Sequence, residues 1–315
     1  MRISFGGEGT ENKLTESRVR EVKSATIALL NRCWEENYKN NFVHISKSPG
    51  VSRLTGRFKD IPALLVGAGP SLDKNVRLLR LVKGKAVIIS CDAALKILLG
   101  HGVTPDIVVN LDPQSVVLNF FDGVETRNMT LIAPTIALPA LRSEWRGNLF
   151  YYSKHAPDIP LLAQIAQKHV KHGILVPGGS VLSVAFDFAF KTGADPIAFI
   201  GQDLSYPTGN AYASGSHFGD YSAKSIIDTQ GDNIVEENDL FGRKLKTQKS
   251  MSVTKQWFGW AFKTWNQDRK RKIFNCSESG ILTECPTKTL SEFVNRHCSR
   301  KVNIAWIIKK AAKPV

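Results

Sequence analysis

From Ala63 onward the chain alternates short apolar runs with longer amphipathic stretches. The runs ALLVG (63–67), AVIIS (86–90), DIVVNL (106–111), TLIAP (130–134), NLFYYS (148–153) and PIAFIG (196–201) have the composition of buried β-strands. Between them, PSLDKNVRLLRLV (70–82), DAALKILLGHG (92–102), DIPLLAQIAQKHVKHG (158–173) and GGSVLSVAFDFAFKTGA (178–194) predict helices. Strands alternating with helices at this spacing imply an α/β fold: a doubly wound, mostly parallel sheet of Rossmann-like type. Upstream, residues 13–38 place Val22, Ala25, Ile27, Leu29, Leu30 and Trp34 on roughly one side of a helix packed outside the sheet, with Thr15 near its start. SPGVSRLTGRFKDIP (48–62) reads as loop. The expected organisation is an N-terminal helical extension over 1–60, a nucleotide-binding α/β unit over 61–240, and basic helices over 241–315 that complete it.

Composition changes this picture in two respects. At 315 residues, 43% hydrophobic and 22% charged, the chain reads as a soluble globular protein. No stretch is apolar enough for a membrane span, and the opening MRISFGGEGTENKL lacks the apolar centre of a signal peptide. Five scattered cysteines form neither a disulfide framework nor a CxxC site, so reduced thiols and a cytoplasmic location are expected. The net charge of +14 is unevenly placed: Gly242–Lys272 carries +9, Arg296–Val315 carries +6 without a single acid, and the segment between them −2. The last 74 residues therefore hold +13 of the total. Such a basic face suits an anionic partner (a nucleotide sugar, nucleic acid or an acidic membrane surface), or it is simply solvated.

In doubly wound sheets ligands sit beyond the carboxyl ends of the strands, so the residues after each run are the candidates. After the first comes Gly67-Ala68-Gly69-Pro70-Ser71. Glycines permit close backbone approach to a phosphate, Pro70 suits the start of a helix, and free N–H groups there would make an anion site. A plain tight turn is the other reading. Asp92, after the second run, either accepts hydrogen bonds from a ribose or caps the next helix. Asp112, after the third, faces a ligand, joins Asp92 around a magnesium ion, or forms the turn. Pro177-Gly178-Gly179-Ser180 opens another helix and is a second anion or sugar site. Gln202 and Asp203 directly follow an apolar strand and are costly to bury without partners. Beyond them lie Tyr206, Tyr212 and His217, the last in the glycine-rich loop ASGSHFGDY, where a closing lid would present a general base or the histidine is merely solvated. KQWFGWAFKTWNQDRKRK mixes aromatic and basic residues as single-strand binders do. Phe258, Ala261, Phe262 and Trp265 share one helical face, however, so core packing is the better account and no nucleic acid partner is expected. VNIAWIIKKAA reads as a terminal helix packed on the core, with a membrane surface as the other option.

Taken in order, GAGPSLD, CDAALKILLGHGVTPDIVVNLDP and GGSVLSVAFDFAFKTGADPIAFIGQDLSY resemble the central domain of the bacterial motility accessory factors, a domain shared with the archaeal 6-hydroxymethylpterin pyrophosphokinases. NDLFGRKLKTQ and RKIFNCSESGILTECPTKTLSEF extend the resemblance, which covers roughly residues 60–295. It implies one of two chemistries. The motility factors are regarded as glycosyltransferases that move a nonulosonic, sialic-acid-like sugar from its CMP ester to a flagellin hydroxyl, in a domain similar to that of sialyltransferases. The pterin enzymes transfer pyrophosphate from ATP with magnesium. The GQDL and NCSESG segments look nearer to the motility branch.

The site this resemblance implies uses Gly67, Gly69, Pro70, Ser71, Asp92, Asp112, Gly178, Gly179, Ser180 and Gln202 for the nucleotide, and Asp203 to orient donor or acceptor. Tyr206 and Tyr212 fall, with one residue of extra spacing, at places comparable to those of two sialyltransferase tyrosines that steady the departing phosphate, and His217 would take the acceptor proton. No metal is obligatory; Asp92 and Asp112 would hold magnesium if it is used. The implied partners are a CMP-linked donor and a protein or glycan acceptor, flagellin among them. Two departures bear on this. Tyr212-Ala213 stands where the motility proteins usually show histidine and alanine, which touches the identity of the base. The chain also lacks most of their large flanking regions, which touches flagellin as acceptor. A nicotinamide dehydrogenase is disfavoured because Leu72 stands where close helix packing wants Gly or Ala. A non-catalytic nucleotide-binding protein is the last alternative.

Overall fold

The computed structural model describes residues 10–219, 221–268 and 270–313. Its strands are β1 Ala63–Val66, β2 Val87–Cys91, β3 Ile107–Val109, β4 Thr130–Pro134, β5 Asn148–Lys154, β6 Ile174–Leu175, β7 Ile197–Ile200, β8 Ile234–Asn238, β9 Lys244–Gln248 and β10 Ile273–Asn275. Eight of them form one sheet in the order β10-β7-β1-β2-β3-β4-β5-β6, with every pairing parallel. The remaining two, β8 and β9, make an antiparallel hairpin. The helices are α1 Thr10–Lys47, α2 Leu72–Asn75, α3 Leu95–Gly100, α4 Leu118–Phe121, α5 Leu141–Glu144, α6 Pro160–Lys168, α7 Val181–Thr192, α8 Ala223–Gln230, α9 Lys249–Trp265, α10 Leu290–His297 and α11 Ile304–Ala312.

The double winding follows from the two-residue repeat of a strand, which sends neighbouring side chains to opposite faces. Val108, Leu131 and Tyr151 enter a core with α4, α5 and the end of α1. Their neighbours Ile107, Val109, Ile132, Phe150 and Tyr152 enter the larger core with α7, α9, α10 and α11. A strand covered on both sides has no use for polar alternation, which is why the strand runs stood out as continuous apolar stretches. The aromatic face of α9 belongs to this larger core: Phe258, Ala261 and Phe262 are buried there and Trp265 packs against it.

Several expectations are corrected. The helix over 70–82 is only the single turn α2 followed by a 3₁₀ stretch, Val76–Val82. The stretch 92–102 divides into a 3₁₀ turn and the short α3. Helix α1 starts upstream of Thr15 and runs nine residues past 38, to Lys47. Its predicted stripe is imperfect: Trp34 is buried, but Leu29 is 69% exposed. The helix docks through an apolar cluster of Ile27, Leu30 and Trp34 with Ile136, Ile159, Leu162 and Ile165, and through amides, with Asn37 donating to the Pro113 and Ile136 carbonyls and Asn41 to those of Thr135 and Ala137. The loop 48–62 contains a 3₁₀ turn, Val51–Leu54. Residues 241–315 are not purely helical, because they supply β9 and the sheet strand β10. Among the described residues no helix is long and apolar enough to cross a membrane. All five cysteines are free thiols. The first nine residues, which carry most of the segment read as lacking a signal peptide, lie outside the described residues, as does Asp220 of the ASGSHFGDY loop.

Candidate functional site

From β1 the chain winds outward through β2 to β6, then returns through α7 to β7 on the other side of β1. The winding direction therefore reverses between β1 and β7, and it is outside the carboxyl ends at such a reversal that open α/β sheets hold ligands. A cleft of about 300 Å³ opens there. Of the sequence candidates it gathers Gly67, Gly69, Pro70, Asp92, Gly179, Ser180, Gln202, Asp203 and Tyr212 among its lining residues. Ser71, Asp112, Gly178, Tyr206 and His217 are not among them.

The glycines of the GAGPS turn also meet a packing demand. The Gly67 N–H donates to the Ile200 carbonyl (2.8 Å) and the Gly69 N–H to that of Gly201 (2.9 Å), so β1 and β7 remain paired beyond their strands. A Cβ on Gly67 would stand 2.5 Å from the Gly201 oxygen. One on Gly69 would stand 2.7 Å from that same oxygen and nearer still to the Asp203 carboxylate. The Ser71 N–H, expected to face a phosphate, donates to Asp203 Oδ2 at 3.0 Å. With those donors engaged and only the four-residue α2 behind it, this turn is not the free anion cradle it resembles.

The open donors lie across the cleft. Helix α7, twelve residues long, begins at its wall: Gly179, Ser180, Val181 and Leu182 all line it. Ser180 is the N-cap but makes no capping bond, and its buried hydroxyl finds no partner among the described residues. Gly179, at φ +98°, lies so close to Thr254 that a Cβ would come within 2.6 Å of its hydroxyl. Gly178 serves packing, because a side chain there would run into the Trp257 ring. Ser250, Met251 and Thr254 bring the first turns of α9, seventeen residues long, to the same cleft. Two helix amino termini thus contribute partial positive charge at one place.

Opposite them stand Gln202 and Asp203, 6% and 2% exposed. Gln202 Nε2 and Asp203 Oδ1 have no hydrogen-bond partner among the described residues, an arrangement that burial penalises. Burial pushes the Asp203 carboxyl up to about 6, against the Ser71 hydrogen bonding that favours its ionised form. The backbone here is held from behind by the NCSESG segment: the Gln202 N–H donates to Ser277 Oγ (3.0 Å), and the Ile281 N–H to the Asp203 carbonyl (2.9 Å). Gly280 (φ +85°) lies against the Asp203 backbone with no room for a side chain.

Asp92 lines the cleft and is likewise raised to about 6 by burial. Its Oδ1 accepts from the Ala93 N–H and its Oδ2 from Asn110 Nδ2, each at 2.9 Å. Asp112 closes its own turn by accepting from the Gln114 N–H at 2.9 Å. Both Asp92 oxygens face donors and Asp112 is not a cleft residue, so the pair does not fit a ready magnesium site. Among the described residues no group of three or more His, Cys, Asp or Glu gathers as a metal site.

Tyr212 lines the cleft, and burial holds its phenol above the usual range. Tyr206 lies behind it in a small apolar cluster with Ala211 and Ala223, pushed up to about 12 chiefly by burial. His217 is exposed, its ring edge-on to Phe120 and Phe218 at 6.3 and 5.0 Å. Phe218 in turn packs on Tyr212 (5.3 Å between rings), so the histidine is two rings removed from the cleft wall. Sequence reasoning missed Ser250, Met251, Thr254 and Ser277. The first three sit in a segment read only for its charge and its aromatic face, whereas NCSESG was visible as a motif without a role.

Fold and site define a doubly wound, Rossmann-like α/β protein with one cleft at its switch point. The family model described as 6-hydroxymethylpterin diphosphokinase MptE-like matches residues 36–209, and the chain belongs to this MptE-like family. Two uncharacterized proteins of Treponema pallidum (strain Nichols) are similar to it. One is 27% identical over 218 residues, covering 68% of this chain and 38% of that protein. The other is 35% identical over 116 residues, covering 32% of this chain and 52% of that protein. Among solved structures, the Maf glycosyltransferase from Magnetospirillum magneticum AMB-1 superposes with a TM-score of 0.58 at 20% identity, over 83% of this chain and 39% of that one. The chain therefore spans between about two fifths and about half the length of these relatives, and the likeness to the Maf structure is one of fold.

Proposed function

We propose that the protein is a glycosyltransferase that moves a nonulosonic, sialic-acid-like sugar from a CMP-linked donor to a hydroxyl of a protein or glycan. The observation that carries this reading is that Gln202 and Asp203, whose Nε2 and Oδ1 are buried without a partner among the described residues, are among the residues lining a cleft bordered by two helix amino termini. Among the described residues that line the cleft there is no lysine or arginine. A nucleoside triphosphate with its metal would leave several negative charges unmet there, whereas a nucleoside monophosphate ester needs only dipoles and neutral donors. The α7 amino terminus, the Gln202 amide and the Tyr212 hydroxyl supply them. Tyr212 keeps its proton across the neutral range and is a donor throughout.

In this reading the acceptor oxygen attacks the anomeric carbon while the bond from that carbon to the phosphate oxygen breaks, and CMP departs. The acceptor proton passes to Asp203 Oδ1. With a carboxyl near 6, Asp203 is ionised at neutral pH yet more basic than a solvated aspartate, as a general base should be. His217 lies outside the cleft lining and is given no step. Flagellin is one acceptor of the required chemistry, and the fold shared with the Maf glycosyltransferase supports the reaction class.

Titration calorimetry with CMP, CDP, ATP plus magnesium, and NAD tests the assignment. CMP is expected to bind, and an assay with a CMP-linked nonulosonic acid to release CMP without added metal. Binding of ATP that EDTA abolishes, with none of CMP, would instead support a diphosphotransferase, the second reading favoured by the family description.

A further inference from the structure

The cleft leaves the opposite end of the sheet unexplained. After Glu292 the chain carries Arg296, Arg300, Lys301, Lys309, Lys310 and Lys313 with no acid among them. Most of the exposed part of this run is presented by α11 and its flanks. Ile304, Ile308 and Ala311 bury its inner face, while Trp306, Lys309 and Lys310 point outward, Trp306 being 59% exposed. Two contacts fix the helix: the Val302 N–H donates to the Gly84 carbonyl (2.7 Å), just ahead of β2, and the Arg53 guanidinium donates to the Lys313 carbonyl. The first places α11 at the amino end of the sheet, across the molecule from the cleft at the carboxyl ends. Leu81, another exposed large apolar residue, precedes the same Gly84 loop.

An exposed tryptophan set among lysines suits the headgroup layer of a bilayer, where the indole is half apolar and half wet and the cations meet anionic lipid. A single-stranded nucleic acid would instead need the open face of the ring for stacking. One face of Trp306 already carries a cation, Lys310 Nζ lying 5.2 Å from the ring centroid. We propose that α11, through Trp306, Lys309 and Lys310, docks the protein on an anionic lipid surface and leaves the cleft facing the aqueous side.

Co-sedimentation of the full chain with vesicles tests this, using phosphatidylcholine alone and phosphatidylcholine mixed with phosphatidylglycerol. Binding is expected only to the mixed vesicles and should weaken as salt is added. The double variant Lys309→Glu/Lys310→Glu should lower the partition coefficient at least about tenfold, and Trp306→Ala several-fold. The three side chains point outward, so the variants should melt as the parent does; should the double variant melt early, Lys310→Glu alone carries the comparison. Equal binding to neutral vesicles, no binding to either, or binding indifferent to these substitutions overturns the proposal. So does salt-sensitive binding of an RNA oligonucleotide in the absence of vesicle binding.

Discussion

Asp203, 2% exposed, holds a carboxyl that burial raises to about 6 while the Ser71 N–H donates to its Oδ2. A carboxylate immediately after an apolar strand was legible as a liability, since burial without partners is expensive. Its hydrogen bond to the Ser71 N–H was not legible, because 132 residues separate the two. One consequence is a signed dependence on pH. A carboxyl raised from 3.8 to about 6 by folding binds its proton more tightly in the native state. The cost of ionising it is absent below pH 4, grows between about 4 and 6, and is constant above. Asp203→Asn keeps an acceptor for Ser71 and removes the charge. The variant is expected to be more stable than the parent at pH 8, by up to about 3 kcal/mol, and equal to it at pH 3.5. Urea melts at the two pH values measure this. The same substitution should lower the transfer rate by about 10²-fold or more, and the parent's rate should fall as pH drops through about 6. A variant that is less stable at pH 8 and retains full rate would mean that the carboxylate is a structural cap and nothing else.

At the scale of elements, the runs over β1 to β5 and β7 were legible because a strand buried on both faces writes an uninterrupted apolar word. β6 was not, being two residues long, and β10 was not, because only Ile273 and Phe274 are apolar between Lys272 and Asn275. In the GAGPS turn one demand was not legible: Gly67 and Gly69 pack against the neighbouring strand end at Gly201, and adjacency of β1 and β7 is a matter of topology. The aspartate that closes GPSLD also acts on a distant element. Asp73 accepts from the Ser214 N–H at 3.0 Å and from its hydroxyl at 2.9 Å, while the Ala213 N–H donates to the Ala68 carbonyl at 2.9 Å. These bonds pin the segment carrying Tyr212 onto the turn that lines the cleft. Asp73→Ala removes the exposed half of that latch, whose bonds are worth roughly 1 kcal/mol each. Amide exchange across residues 207–219 is expected to speed up severalfold while exchange in β1 and β7 is unchanged, and CMP affinity should fall with it. Unaltered exchange in that segment would show that the Ala213 bond alone suffices.

For the molecule as a whole, uneven charge marks off a basic segment beyond residue 240 that is expected to complete the α/β unit. The strand order gives that segment a place in the sheet. β10 extends the sheet beyond β7, with Ile273 opposite Ile197 and Asn275 opposite Phe199. The Cys276 N–H donates to the Phe199 carbonyl at 2.8 Å, and the Cys276 carbonyl accepts from Asn75. Ser277 and Gly280 hold the backbone of Gln202 and Asp203, and α9 supplies Phe258 and Phe262 to the larger core. Positive charge gathers in this segment because its outward faces are solvated, whereas its inward faces are as apolar as the rest of the core; net charge alone does not mark a boundary. A chain ending at residue 240 would expose β7 as an edge strand and uncover the aromatic face of α7. The full chain is therefore expected to unfold in one cooperative calorimetric transition, and the truncated chain to show none, with dye-binding apolar surface in place of a melt. Recovery of a cooperative transition in the truncated chain near the parental Tm would establish that 241–315 is separable, and the buttressing of Gln202 and Asp203 by NCSESG would then be dispensable.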